Sequence, residues 1–309
     1  MKITVVGAGG VGGYFGAALA RAGHQVSFVA RGAHLQAIQR HGLTVHSRGE
    51  TWQVQPPAAD DVAQLDVPDL LIVAVKAKDT QDVAHQVAQQ LHPASIVLSL
   101  QNGVSARGVL GRWITDSHLI GGATYISAFI TAPGEVTHHG TLQKIVVGEY
   151  ETSRSGSARE VYEALLAAKI DAHLTDDIDR ELWEKYVFLV GLSSMTSLTR
   201  APIGVVRSNA RSRGLLLAAM SEVVDVARAS GVDLPPDLAQ ERLRFCDTLP
   251  FGMTSSMAND LTEGKPLELE WLSGNVSELA ASLPRTPTPV NDVVAAALAP
   301  FQDGAPATE

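Results

Sequence analysis

Residues 3–12 read Ile3-Thr4-Val5-Val6-Gly7-Ala8-Gly9-Gly10-Val11-Gly12. A short apolar run enters a glycine turn. A helical pattern follows through Phe15, Leu19 and Ala20 and stops at Gly23, and a second apolar run, Val26-Ser27-Phe28-Val29, ends at Ala30-Arg31. Strand, glycine turn, helix and strand make a βαβ unit with G-x-G-x-x-G where such a unit carries it. Gly7 allows the tight turn, Gly9 lets backbone approach a pyrophosphate, and Gly12 lets the helix pack close to the strand. Exposed N–H groups and the helix dipole favour an anion at that helix start. The stretch therefore predicts a dinucleotide site built on Gly7, Gly9, Gly10, Val11 and Gly12.

The end of the second strand indicates which dinucleotide. Sites selective for NAD place Asp or Glu there, to bond the ribose 2′-hydroxyl. Here the position holds Ala30-Arg31 and no acid. A guanidinium suits a 2′-phosphate, so NADP(H) is favoured over NAD. The competing reading is an arginine simply solvated at a strand end.

At 309 residues the chain is long for one core, so two domains are expected. Its 45% apolar share is ordinary for a globular protein, and its net charge of −9 comes without a basic block. Nucleic-acid and anionic-membrane roles are disfavoured. Cys246 stands alone, which rules out an intrachain disulfide and fits a reducing compartment. The first strand begins at residue 3, leaving no room for a signal peptide, and no apolar stretch reaches membrane-spanning length. These features lead to the expectation of a cytoplasmic enzyme.

The α/β pattern continues to about residue 174. Residues 69–75 and 95–100 read as buried parallel strands, with a helix over 80–91 between them and a further strand at 118–123. Residues 43–54 suggest a small hairpin around Gly49. A second hairpin is expected around His138-His139-Gly140-Thr141, with the histidine pair exposed. A helix over 157–168 and a run at 170–174 finish the sheet. Lys76 and Asn102 follow two of these strands at their carboxyl ends, where open α/β sheets bind ligands. Asn102-Gly103 is equally a common turn pair.

From about residue 175 the pattern is helical throughout. This gives an α/β Rossmann-like N-terminal domain, 1–174, and an all-α C-terminal domain, 175–309. The first helix holds Leu182, Trp183, Tyr186, Val187, Phe188, Leu189, Val190 and Leu192, apolar nearly all round, so it is read as buried. Lys185 sits among them. Burial would move its pKa toward the range useful for proton transfer; snorkelling to water is the alternative. Helices are expected over 210–230, 237–248, 256–263, 267–283 and 290–299, with a frayed tail from 300. No metal-ligand spacing and no Ser/His/Asp constellation is readable. Apolar residues here would serve a homodimer interface or core packing equally well.

With these motifs the chain resembles the ketopantoate reductase (2-dehydropantoate 2-reductase) family along nearly its whole length. The marks are the glycine turn, Arg31-Gly32, Lys76, Gln101-Asn102-Gly103, Leu182-Trp183-Glu184-Lys185, Ser255-Ser256-Met257, Glu268 with Leu269-Glu270-Trp271, and Thr286-Pro287-Thr288-Pro289-Val290-Asn291. The resemblance implies reduction of an α-keto acid by NADPH, on the route to pantothenate and coenzyme A. Lys185 would be the general acid and Glu268 its partner, also touching the cofactor. Ser256 would bond the substrate carboxylate, and Asn102 and Lys76 would place cofactor and substrate. Family members typically carry asparagines four and eight residues after the lysine. Here those substrate positions are Leu189 and Ser193. A leucine cannot bond a substrate hydroxyl, and a serine reaches less far. The alternatives are a D-2-hydroxy-acid dehydrogenase acting on another α-keto acid, or a non-catalytic NADP(H)-binding sensor.

Overall fold

The computed structural model describes residues 1–150 and 156–305. The chain forms two compact units, Met1–Asp179 and Arg180–Glu309. The second unit begins a few residues after the boundary expected at 174/175, because the last strand runs to Thr175 and the first two residues of a long helix, Ile178 and Asp179, fall in the first unit.

The first unit is built on one ten-stranded sheet. Its strands are β1 (Lys2–Val6), β2 (Gln25–Val29), β3 (Leu43–Ser47), β4 (Glu50–Val54), β5 (Ala58–Ala59), β6 (Leu70–Val73), β7 (Ile96–Ser99), β8 (Leu119–Ala132), β9 (Glu135–Glu149) and β10 (Asp171–Thr175). The order is β4-β3-β9-β8-β7-β6-β1-β2-β5, with β10 also on β9. Parallel pairing links β2, β1, β6, β7 and β8. The inner strands β6 and β7 are buried along their whole length, which their unbroken apolar runs require. Helices α1 (Gly10–Arg21), α2 (Gly32–His41), α3 (Thr80–Ala88), α4 (Ala106–Leu110) and α5 (Ser157–Ala167) connect them.

The hairpin expected at 43–54 forms as β3 and β4, with Arg48 and Gly49 in a left-handed two-residue turn. The one expected around His138-His139-Gly140-Thr141 does not. β9 runs through these residues as one strand, antiparallel to β8, and the connection is Pro133-Gly134. The pairing steps from Ile126↔Gln143 to Ser127↔His139, so residues 140–142 leave the ladder as a bulge rather than reverse the chain. His138 is buried rather than exposed. Its Nε2 lies 2.9 Å from the Leu142 carbonyl, and Ser47 Oγ lies 2.8 Å from its Nδ1. His139 remains on the surface.

In the second unit, α6 (Ile178–Thr199) precedes α7 (Ile203–Ser208), α8 (Ala210–Ala229), α9 (Leu238–Thr248), α10 (Ser256–Thr262), α11 (Ser273–Ala281) and α12 (Pro289–Leu298). No strand occurs among its described residues. Trp183, Tyr186, Val187, Val190, Leu192 and Met195 of α6 are all buried, as its all-round apolar surface demands.

The single helix expected over 267–283 is instead broken. A short turn, Leu269–Trp271, stops at Leu272, whose backbone is non-helical. The Tyr186 hydroxyl lies 2.7 Å from the Leu272 carbonyl and 3.2 Å from that of Trp271, drawing off acceptors that a continuing helix would use. The late Thr-Pro segment has a structural role as well. Pro289 opens α12, and the Glu222 carboxylate accepts the Val290 and Asn291 N–H groups at 2.8 and 2.9 Å. Residues 300–305 are not frayed. Leu267 N–H donates to the Gln302 carbonyl and Ala305 N–H to that of Gly264. The rest of the expected frayed tail, 306–309, lies outside the described residues.

Candidate functional site

The glycine turn lies between β1 and α1. Gly7 has φ +105°, open to glycine and strained for other residues, and its N–H donates to the Val29 carbonyl at the end of β2. A Cβ on Gly12 would fall 2.0 Å from the Gly7 carbonyl oxygen and one on Gly10 1.9 Å from that of Ala128. The start of α1 is thus clamped between β1 and β8. Gly9 is the opposite case: a Cβ there would meet nothing within 4 Å. The turn is closed on its protein side and open at Gly9, and the first turn of α1 carries no acidic residue. This fits a dinucleotide pyrophosphate at a helix start. Val11 is half-buried in the same turn.

Arg31 closes β2 as the residue before α2. Its side chain is largely exposed, with Nη1 3.9 Å from Asp79 Oδ1. It borders a cleft of about 590 Å³ shared with Gly32, Leu35, Gln36, Asp60 and Asp61. Both acids have local partners: Asp61 accepts the Ala63 N–H at 2.9 Å and Asp60 the Gln64 carboxamide at 2.9 Å. Arg31 is the cation of this lining.

Lys76 and Asn102 stand exposed just beyond β6 and β7. Between them, buried Gln101 donates from Nε2 to the Val75 carbonyl at 3.0 Å and to Thr80 Oγ1 at 2.7 Å. One carboxamide therefore ties the two loops together. Gln101 is visible in the sequence only as the neighbour of Asn102, and nothing in the spacing singles it out.

In the second unit Lys185 is buried on α6. Desolvation pulls its pKa from 10.5 down to about 7, and the nearby Glu268 carboxylate acts in the opposite direction. Leu189, half-buried, and Ser193, buried, follow at steps of four along the helix. Glu268 is half-buried and immediately precedes the short turn anchored by Tyr186. Burial raises the Tyr186 hydroxyl far above its ordinary pKa, so it stays a hydrogen-bond donor. Ser256 is exposed at the first position of α10, while Ser255 caps that helix by accepting the Ala258 N–H at 3.0 Å. Thr196 Oγ1 of α6 lies 2.9 Å from Ser255 Oγ. Hence α6 carries Lys185 and also pins the segments bearing Glu268 and Ser256. Nothing in the sequence marks the roles of Tyr186 and Thr196, which look like ordinary core material, and Ser255 stands out only as part of the Ser255-Ser256-Met257 motif.

Within the first unit the structure groups Gly7, Gly9, Gly10, Val11 and Gly12 in one turn. Within the second it joins Lys185 and Glu268 electrostatically. No group of three or more potential metal ligands occurs among the described residues, and none of their helices is long and apolar enough to cross a membrane. Cys246 is buried, with its thiol pushed up to about 12, so it has little thiolate character.

The family model "Ketopantoate reductase PanE/ApbA" matches residues 3–152, and its C-terminal counterpart matches residues 177–302. The chain belongs to the ketopantoate reductase family. It is an oxidoreductase with the half-barrel mixed sheet and helical C-terminal region of that fold. Among curated relatives, the 2-dehydropantoate 2-reductase of Mesorhizobium japonicum is 30% identical over 96% of each chain. The uncharacterized oxidoreductase YkpB of Bacillus subtilis is 30% identical over 92% of this chain and 93% of its own. Among solved structures, a PanE/ApbA family ketopantoate reductase from Ralstonia eutropha JMP134 superposes with TM-score 0.87 at 31% identity, covering 98% of both chains. A D-mandelate dehydrogenase solved with NADH and anilino(oxo)acetate superposes with TM-score 0.90 at 20% identity over 98% of both chains, a likeness of fold.

Proposed function

We propose that the protein reduces 2-dehydropantoate (ketopantoate) to pantoate with NADPH, on the route to pantothenate and coenzyme A. The observation that carries this reading is Lys185: a buried ammonium beside the Glu268 carboxylate, with a pKa brought to about 7. A general acid works best when its pKa lies near the working pH. NADPH, when bound, supplies the hydride that adds to the ketone carbon. As that carbon is reduced, its oxygen gains negative charge, and Lys185 Nζ delivers the proton that makes it a hydroxyl. Glu268 keeps the lysine charged until then, since an isolated ammonium in that setting would lose its proton. Ser256 donates to the substrate carboxylate. Asn102 and Lys76 orient cofactor and substrate, and Arg31 pairs with the 2′-phosphate.

One observation favours a second reading. Leu189, four residues after Lys185, offers no hydrogen bond where a carboxamide would. An α-keto acid with an apolar side chain and no hydroxyl suits that surface better than ketopantoate does.

The deciding experiment is a panel of α-keto acids, with NADPH oxidation followed by loss of the reduced-nicotinamide absorbance. Turnover of ketopantoate above the other acids supports the first reading. Turnover of branched or aromatic keto acids without ketopantoate turnover replaces it with the second. NADPH binding without turnover of any acid makes the protein a sensor.

A further inference from the structure

The glycine turn is held by a histidine that neither the motif nor the chemistry above uses. His34 is the third residue of α2 and is half-buried. Its Nε2 lies 2.8 Å from the carbonyl oxygen of Ala8, the residue between Gly7 and Gly9. Its Nδ1 lies 3.0 Å from the backbone N–H of Gly134 in the β8–β9 turn. These partners fix the tautomer. Gly134 can only donate, so Nδ1 is bare; the Ala8 carbonyl can only accept, so Nε2 carries the hydrogen. The ring is therefore neutral, and burial, which holds its pKa below the ordinary histidine value, agrees.

The Ala8–Gly9 peptide is trans, and a planar trans peptide points its C=O and N–H in opposite directions. With the Ala8 carbonyl drawn to His34, the Gly9 N–H is directed away from it. Gly9 is also the position where a Cβ would meet no protein atom within 4 Å. A flip of this peptide would turn a carbonyl oxygen to where the Gly9 N–H now points and an N–H to the imidazole. A carbonyl repels phosphate where an N–H binds it. We infer that His34 is a positioning residue, which locks the Ala8–Gly9 peptide with its N–H outward so that the turn binds the dinucleotide phosphate. The anchor of this lock is the β8–β9 turn, itself fixed by Thr44 N–H donating to the Gly134 carbonyl.

This inference rests on the nicotinamide-dinucleotide reading of the turn, and the test separates the two. NADPH affinity is measured by fluorescence titration on wild type, His34→Asn and His34→Gln, with thermal midpoints recorded alongside. Asparagine reaches only the Nδ1 position and keeps an acceptor for Gly134 while losing the donor to Ala8. Glutamine carries an acceptor and a donor spaced like the two ring nitrogens. The expected result is a rise in Kd for NADPH of about 10- to 100-fold in His34→Asn, the range of a buried carbonyl losing its donor. His34→Gln should return to within about threefold of wild type on the same grounds, with kcat at saturating NADPH and KM for the keto acid unchanged in both. Wild-type affinity in His34→Asn overturns the inference while leaving the dinucleotide reading intact. Equal loss in both variants with lowered midpoints overturns it too, since that is a purely structural role. Failure of the wild type to bind NADPH or NADH removes the dinucleotide reading itself.

Discussion

The glycine turn of the first unit and helix α6 of the second solve opposite electrostatic problems. On the proposed function the turn receives an anion, and it would do so with backbone: no protein atom comes within 4 Å of a Cβ placed on Gly9, packing fixes the rest, and the donors would be peptide N–H groups. On the same reading helix α6 holds a cation that gives up its proton, and it would do so with a side chain. Lys185 is withdrawn from water among apolar residues until its pKa nears 7, with Glu268 opposing complete neutralisation. A backbone site costs little stability and depends on the shape of the turn. A buried ammonium costs stability by its nature. Mutations in the two regions should therefore separate binding, chemistry and folding in different ways.

The largest expected effect is on chemistry. Lys185→Ala should lower kcat by roughly 10²- to 10⁴-fold, as for loss of a general acid, while NADPH Kd stays unchanged. Steady-state kinetics with a binding titration check both parts, and a parallel loss of NADPH affinity would break the division between the regions. The same lysine makes stability depend on pH. Its unfolded pKa of 10.5 falls to about 7 on folding, so between these values the unfolded chain holds the extra proton. Stability should therefore rise as pH climbs through this window and gain nothing further above it. Lys185→Met should flatten this dependence and raise the midpoint near neutrality, and denaturation at several pH values measures it.

The turn provides a paired test of intermediate size. Gly12→Ala places a methyl 2.0 Å from the Gly7 carbonyl and should cost about 1–3 kcal/mol of folding stability. Gly9→Ala meets no protein atom, so it should leave the midpoint near wild type and weaken NADPH by roughly 10-fold through contact with the phosphate. Equal destabilisation by both would show that the space at Gly9 is filled by protein. The smallest effect belongs to Arg31. NADPH should bind about 10-fold more tightly than NADH, and Arg31→Ala should remove that difference. Equal wild-type affinities would mean that Arg31 is only a solvated strand end paired with Asp79.

The two regions also differ in how far they can be read from sequence. The βαβ unit was legible because its information is local: an apolar run, glycines at fixed offsets, and a second strand within thirty residues. Lys185 was legible as a lysine inside an apolar helix. What escaped was long-range. His34 acts on residues 26 and 100 positions away, and Tyr186 on carbonyls about 85 positions away. A histidine or tyrosine with a remote backbone partner leaves no periodic trace. The turn expected at His138-His139-Gly140-Thr141 does not form for the same reason. A glycine in a bulge and a glycine in a reversal look alike locally, and only the pairing of β9 with β8 tells them apart. The break at Leu272 likewise coincides with bonds from Tyr186 on another helix, a remote partner that nothing in 267–283 announces.

The proton-donor role of Lys185 is tested most directly by the pH dependence of kcat/KM for the keto acid at saturating NADPH. The account predicts a plateau at acid pH and a fall of about tenfold per unit above a midpoint near the lysine pKa of about 7. The reverse oxidation of the hydroxy acid, which needs the neutral amine, should rise over the same range. A reduction rate that stays level well above that midpoint, or a midpoint that persists in Lys185→Ala, would contradict it.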